Sequence, residues 1–141
     1  MKKYVIVSLF LLIITVISFT FYKYREQSLG DVLNISNVDK FHLIAENTDN
    51  IEFELTKIDE ETMNKLVRFF NHYQVKLTNK HGWVSTYENE RFELYLEYKD
   101  GELGRYTIER DVVVSTHVYD VVNAPLDYQW IVAIEKEINS K

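Results

Sequence analysis

The chain has no cysteine. That excludes disulfides, thiolate nucleophiles and cysteine-based zinc sites, so a small domain built from it must be held by its apolar core alone. The absence fits an exported protein from a bacterium that does not rely on disulfides better than a secreted eukaryotic module. Proline occurs once and glycine four times in 141 residues, which predicts tight loops and a compact domain. No glycine-rich loop is available to cradle a phosphate: Gly101 and Gly104 fall in Lys99-Asp100-Gly101-Glu102-Leu103-Gly104, a hairpin turn and strand edge. Recognised catalytic signatures are missing too. There is no G-x-S-x-G elbow, no S-x-x-K and no H-E-x-x-H. The histidines His42, His72, His81 and His117 stand at no metal-ligand spacing and read as satisfied or solvent-facing side chains, His72 at a helix end where an imidazolium is mildly favoured. No catalytic, cofactor-binding or metal residue is assigned.

Charge is also missing from one long stretch. Tyr4 to Tyr22, YVIVSLFLLIITVISFTFY, carries none, and Lys2, Lys3, Lys23 and Arg25 flank it. At about 1.5 Å per helical residue the run reaches roughly 28 Å, close to the hydrocarbon thickness of a bilayer. It is longer than the apolar core of a cleaved signal, and bulky Phe19, Phe21 and Tyr22 stand where a peptidase needs small side chains. The expectation is an uncleaved signal anchor over residues 1–25, with the lipid bilayer as partner of residues 4–22. Basic flanks of equal count leave orientation to the short three-residue head and the free amino terminus. These predict the N-terminus in the cytoplasm and the C-terminal domain outside the cell membrane, with Tyr4, Tyr22 and Tyr24 at the two interfaces.

All 22 acidic residues lie at Glu26 or later, against 12 of the 16 basic ones, a net of about −10 for that segment. Such a surface repels phosphate backbones and anionic headgroups, so nucleic acid is excluded as a partner. Most of this acidity reads as an ordinary solvated surface. Asp59, Glu60 and Glu61 are explained by a helix start. Glu88-Asn89-Glu90 lacks the ligand number of a calcium loop.

Residues 26–37 read as a polar connector and 38–141 as one extracytoplasmic domain. Lys40 to Ala45 and the alternating Ile51, Phe53 and Leu55 predict a hairpin around Asn47-Thr48-Asp49-Asn50. Asp59 caps a helix whose stripe is Met63, Leu66, Val67, Phe70 and Tyr73, ending near His72. Short extended pieces follow at Val75–Thr78 and Trp83–Tyr87. The clearest strand is Arg91–Tyr98, with Phe92, Leu94, Leu96 and Tyr98 on one face and Arg91, Glu93, Tyr95 and Glu97 on the other. Asp100-Gly101 turns the chain into Arg105–Glu109, and Val112–Thr116 and Val118–Val122 follow. Pro125 suits the first turn of a closing helix with the stripe Leu126, Trp130, Ile131, Ile134 and Ile138. The fold class is α+β: an N-terminal transmembrane helix, then a two-layer domain of antiparallel sheet and two helices, ordered β-β-α-β-β-β-β-α.

Aromatic residues are plentiful: ten tyrosines, eight phenylalanines and two tryptophans. Tyr95 is out of phase with the apolar positions of its strand and should lie on the sheet face opposite the helices. With Trp83 and Tyr87 it is the candidate interaction surface, suited to protein or glycan contact. The favoured reading of these rings is the plainer one, that they simply cover an under-filled sheet.

The lysine-led anchor Met1-Lys2-Lys3 with its apolar run, Tyr95-Leu96-Glu97-Tyr98-Lys99-Asp100-Gly101, and Val118-Tyr119-Asp120-Val121-Val122-Asn123 before the last helix together resemble small membrane-anchored proteins of unknown function from low-GC Gram-positive bacteria. The resemblance covers most of the chain in pattern and implies no catalytic residues. The leading expectation is a non-enzymatic domain displayed for protein or cell-wall interaction. One form of it is an inhibitor whose acidity captures a basic partner. The alternative is a small-ligand sensor or enzyme, with polar groups converging around Glu109, His117 and Tyr119.

Overall fold

The computed structural model describes residues 2–45, 54–87 and 89–140. The first helix, α1 (Lys2–Lys23), is long and apolar enough over Lys3–Lys23 to cross a membrane, and its apolar stretch is not buried against the rest of the protein. The chain then enters the sheet almost at once. Strand β1 (Glu26–Ser28) pairs antiparallel with β4 (Gln74–Leu77), and the one-turn helix α2 (Leu29–Val32) and a 3-10 turn (Ile35–Asn37) follow β1. The stretch expected as a connector is therefore part of the fold. Leu29 and Leu33 are completely buried and Ile35 nearly so. Three apolar side chains among polar neighbours were enough to pull the segment into the core.

The remaining strands are β2 (Val38–Ile44), β3 (Thr56–Lys57), β5 (Arg91–Tyr98), β6 (Leu103–Glu109), β7 (Val112–Val114) and β8 (Val118–Val121). Among the described residues eight strands form one antiparallel sheet in the order β1-β4-β8-β7-β6-β5-β2-β3. An apolar helix followed by an antiparallel sheet and helices is the α+β arrangement that the sequence pattern predicts. Thr56 and Lys57 pair with Phe41 and Lys40, as a hairpin requires; Ile51, Phe53 and the expected turn lie outside the described residues.

Two longer helices cover one face of the sheet. In α3 (Glu60–His72) the Asp59 carboxylate accepts from Thr62 N at 2.9 Å, which satisfies one orphan N–H of the first turn, and from Thr62 Oγ1 at 2.8 Å. Leu66 and Phe70 point inward from it. α4 (Tyr128–Asn139) starts three residues later than a first turn at Pro125 would place it, because the cap is Asp127, which accepts from Trp130 N at 3.2 Å. Leu126 is instead buried, its N–H bonded to the Arg110 carbonyl at 2.8 Å. The core under the helices runs across the sheet through Phe41, Leu94, Ile108, Val113 and Val75. Strand periodicity sends Arg91, Glu93, Tyr95 and Glu97 to the other face.

Trp83–Tyr87 is not a strand. Asp111, in the β6–β7 turn, accepts hydrogen bonds from Ser85 Oγ, Thr86 N and Thr86 Oγ1, and Tyr87 N donates to Ser85 Oγ at 2.9 Å. Side-chain bonds here replace ladder bonds, as serine and threonine commonly do in loops.

Candidate functional site

The structure separates the three aromatic residues singled out from the sequence. Trp83 is 41 % exposed and is followed by Val84, 91 % exposed, in the loop joining β4 to β5. Tyr87, in the same loop, lies with its ring 4.6 Å from the Arg110 guanidinium. Arg110 also donates to Glu90 at 2.8 Å and to the Leu126 carbonyl at 2.7 Å, so Tyr87 belongs to a buttress around the β6–β7 turn. Tyr95 stands four residues along β5 from Arg91, roughly 13 Å further by strand rise. It does face away from the helices, opposite His42 on β2 and Arg105 on β6. Its hydroxyl donates to Glu93 at 2.6 Å, Arg105 donates to the same carboxylate oxygen at 3.0 Å, and the guanidinium sits 5.2 Å from the phenol ring. Hydrogen bonding from Tyr95 and Arg105, working against partial desolvation, holds the Glu93 carboxyl below its usual range, while the bond to Glu93 pushes the Tyr95 phenol up.

The open sheet face is thus laced with polar contacts. Lys40 bonds Glu97 at 2.8 Å, and Lys80 in the β4–β5 loop reaches Asp120 on β8 at 3.0 Å. Glu109 is 5 % exposed between Arg91 and Val112 in the register, and its Oε2 has no hydrogen-bond partner among the described residues. Glu109 does not converge with His117 and Tyr119, whose rings lie 6.5 Å apart. Tyr119 pairs with Val113 on the helix-covered face, Glu109 points the other way, and His117 is exposed in the β7–β8 turn beside Thr116.

A better-formed surface lies between the helices. The Trp130 indole on α4 stacks on Phe69 of α3, with ring centroids 4.1 Å apart and planes at 6°. Phe69 in turn meets Phe70 and Tyr73 edge-on, at 5.3 and 5.1 Å. Lys65, one turn before Phe69, donates to Glu137 of α4 at 3.0 Å and also pairs with Glu61. Those two cross-helix contacts make α3 and α4 antiparallel neighbours. The outer side of their junction is an open groove of about 390 Å³, floored by Phe69, Tyr73 and Trp130 and rimmed by Lys65, Arg68 and His72. Lys65 is raised above its ordinary pKa by hydrogen bonding to Glu137 and Glu61. Arg68 is exposed and forms no ion pair among the described residues. The Arg68 guanidinium beside an aromatic floor stands out in a segment of net charge about −10.

Sequence periodicity assigned Trp130 to the buried stripe of the last helix. Its partner Phe69 sits one position outside the α3 stripe, and that displacement, with two cations nearby, was the available signal. A second depression of about 400 Å³ lies where β2 and β3 meet the end of α4, lined by Phe41, His42, Ile58, Glu135 and Ile138. Glu135 is 6 % exposed there, and its carboxylate accepts from Ala45 N at 3.1 Å. No three of the His, Asp or Glu side chains among the described residues come together as a metal site.

Compared with known proteins, the chain matches no family model. It matches no curated protein and no solved structure either.

Proposed function

We propose that the chain is a single-pass protein of the cell membrane that holds a small acidic, non-enzymatic domain outside the cell for interaction with another protein or a cell-wall component. What supports this reading most is the absence of slack between anchor and domain. α1 ends at Lys23 and β1 begins at Glu26. The Tyr24 hydroxyl bonds Asn79 in the β4–β5 loop, which ties the exit of the span to the sheet. A domain attached this way presents a fixed face instead of swinging on a tether. The groove is well placed for contact from solution: His72 and Tyr73 lead into Gln74, which pairs with Ser28 at the end of β1 away from the span. Its aromatic floor and the Arg68 guanidinium at its rim suit a partner surface carrying acidic and aromatic side chains.

The test is labelling of intact cells with a membrane-impermeant reagent, using the full chain with a single cysteine at Arg68→Cys or at Lys2→Cys. Labelling at position 68 and protection at position 2 is the expected result. The reverse pattern overturns the topology, and with it the exported partner.

The depression at Glu135 favours a second reading, a small-ligand sensor or enzyme. Its volume falls within the range of small-ligand sites, and it combines apolar walls with a buried carboxylate and an imidazole. Binding of a small molecule that is lost with Glu135→Gln and kept with Trp130→Ala would favour it over the binding module.

A further inference from the structure

We propose that the junction between span and domain is a binding site for one anionic phospholipid. The inference rests on α1 crossing the bilayer but not on the identity of any protein partner. A depression of about 480 Å³ lies at the exit of the span, lined by Thr20, Phe21 and Tyr24 from the end of the helix and by Arg25, Glu26 and Lys76 from the start of the domain. Its height follows from the sequence. The uncharged run ends at Tyr22, so Phe21 lies at the edge of the hydrocarbon and the charged residues lie level with the headgroups.

The lining divides in the same way a lipid does. Thr20 and Phe21 offer an apolar surface to the first part of an acyl chain. Arg25 and Lys76 offer cations to the phosphate above it. The Arg25 guanidinium is fixed in place: it lies 3.8 Å from the centre of the Tyr22 ring and donates to the Tyr22 carbonyl at 3.1 Å. Lys76 is exposed and forms no ion pair among the described residues, although Glu26 stands opposite it in the β1–β4 register. Nearby Lys80 is taken up by Asp120. Two cations against one carboxylate leave this lining net positive, whereas the segment from Glu26 onward is net negative by about ten. The acidic domain is otherwise repelled by an anionic surface. A single lipid held here would offset that repulsion at the one point where the domain must touch the membrane. The wall is steady because the Tyr24 hydroxyl is bonded to Asn79.

The test uses the full chain with Trp83→Phe, Trp130→Phe and Ile17→Trp, which puts the sole tryptophan one helical turn below Phe21 and outside the lining. The protein is reconstituted in phosphatidylcholine vesicles with rising fractions of tail-brominated phosphatidylglycerol or tail-brominated phosphatidylcholine, and fluorescence quenching is measured. Each basic group near the surface strengthens attraction to an anionic lipid by roughly fivefold. The expected result is a preference for the brominated phosphatidylglycerol of at least about fivefold. Lys76→Gln should lower it several-fold, Glu26→Gln should raise it, and Lys99→Gln should leave it unchanged. Equal quenching by the two lipids overturns the proposal. So does a preference indifferent to Lys76 and Glu26, which would mean attraction to the flanking charges alone. Quenching by neither lipid, with the chain extracted by carbonate, overturns the membrane span itself.

Discussion

The Trp130 indole and the Phe69 ring lie face to face, 4.1 Å apart and within 6° of parallel, and they join the two helices outside the buried core. Offset stacking of such rings contributes about 1 kcal/mol beyond the area it covers. Trp130→Ala should therefore lower the stability of the full chain in detergent micelles by about 2 kcal/mol, less than for a fully buried ring because Trp130 is partly exposed. Trp130→Phe should lose less than half of that. Urea titration followed by far-UV circular dichroism gives both numbers, and an alanine variant as stable as the parent would show that the stack holds nothing together.

Two of the glycines should respond differently to alanine. At Gly30 an added Cβ would meet Asn71 Oδ1 at 2.1 Å. Asn71 is exposed and can swing away, at the expense of its 2.8 Å bond from Ser28, so the cost should be about 1 kcal/mol. At Gly104 the Cβ would meet the Tyr98 hydroxyl at 2.8 Å and carbons of the Tyr106 and Tyr98 rings at 3.1 and 3.2 Å. Those rings cannot yield as easily, because the Tyr98 hydroxyl is held by the Leu33 carbonyl at 2.8 Å and lies 3.3 Å from the Tyr106 hydroxyl. Gly104→Ala should cost about 2–3 kcal/mol. Denaturation midpoints in the reverse order would contradict the packing described.

Acid should loosen the β4–β5 loop. Burial works to raise the Asp111 pKa, but hydrogen bonds from Ser85 and Thr86 outweigh it, so the folded value lies below the ordinary 3.8. A carboxyl with a depressed folded pKa stabilises the fold above its unfolded pKa, and that stability is lost as pH falls through the folded value. Glu93 behaves likewise from a reference of 4.5. Stability should hold from neutral pH to about 5 and decline below pH 4.5. In Asp111→Asn the part of the decline below pH 3.8 should shrink, and stability at pH 7 should fall by about 1–2 kcal/mol, allowing for the partial exposure of Asp111. The accompanying sign is a rise in Trp83 mobility, read from fluorescence anisotropy with Trp130→Phe.

The elements written in strong periodicity were legible in the sequence. The alternation of Phe92, Leu94 and Leu96 gave β5 and its two faces, and Asp59 gave the start of α3. Three features were not legible, each for a physical reason. β1 and α2 are short and mostly polar, and they fold because Leu29 and Leu33 find the core, a long-range contact with no local pattern. Trp83–Tyr87 has strand-like residues, but its backbone is taken by Asp111, 25 residues and more away. The groove unites Phe69 and Trp130 across 61 positions, and a ring one step off the helical stripe shows its partner only once the helices are packed.

The proposed domain outside the membrane turns its interhelical groove toward a partner. The most direct measurement places a photo-crosslinking amino acid at Arg68 in the full chain in its native membrane, with the same group at Glu97 on the opposite face as control. One dominant protein or cell-wall adduct is expected from position 68. It should be lost with Trp130→Ala under conditions where the variant stays folded, be absent from position 97, and be formed by material accessible to an impermeant label. Identical adducts from both faces, or no adduct from an accessible position 68, would contradict it.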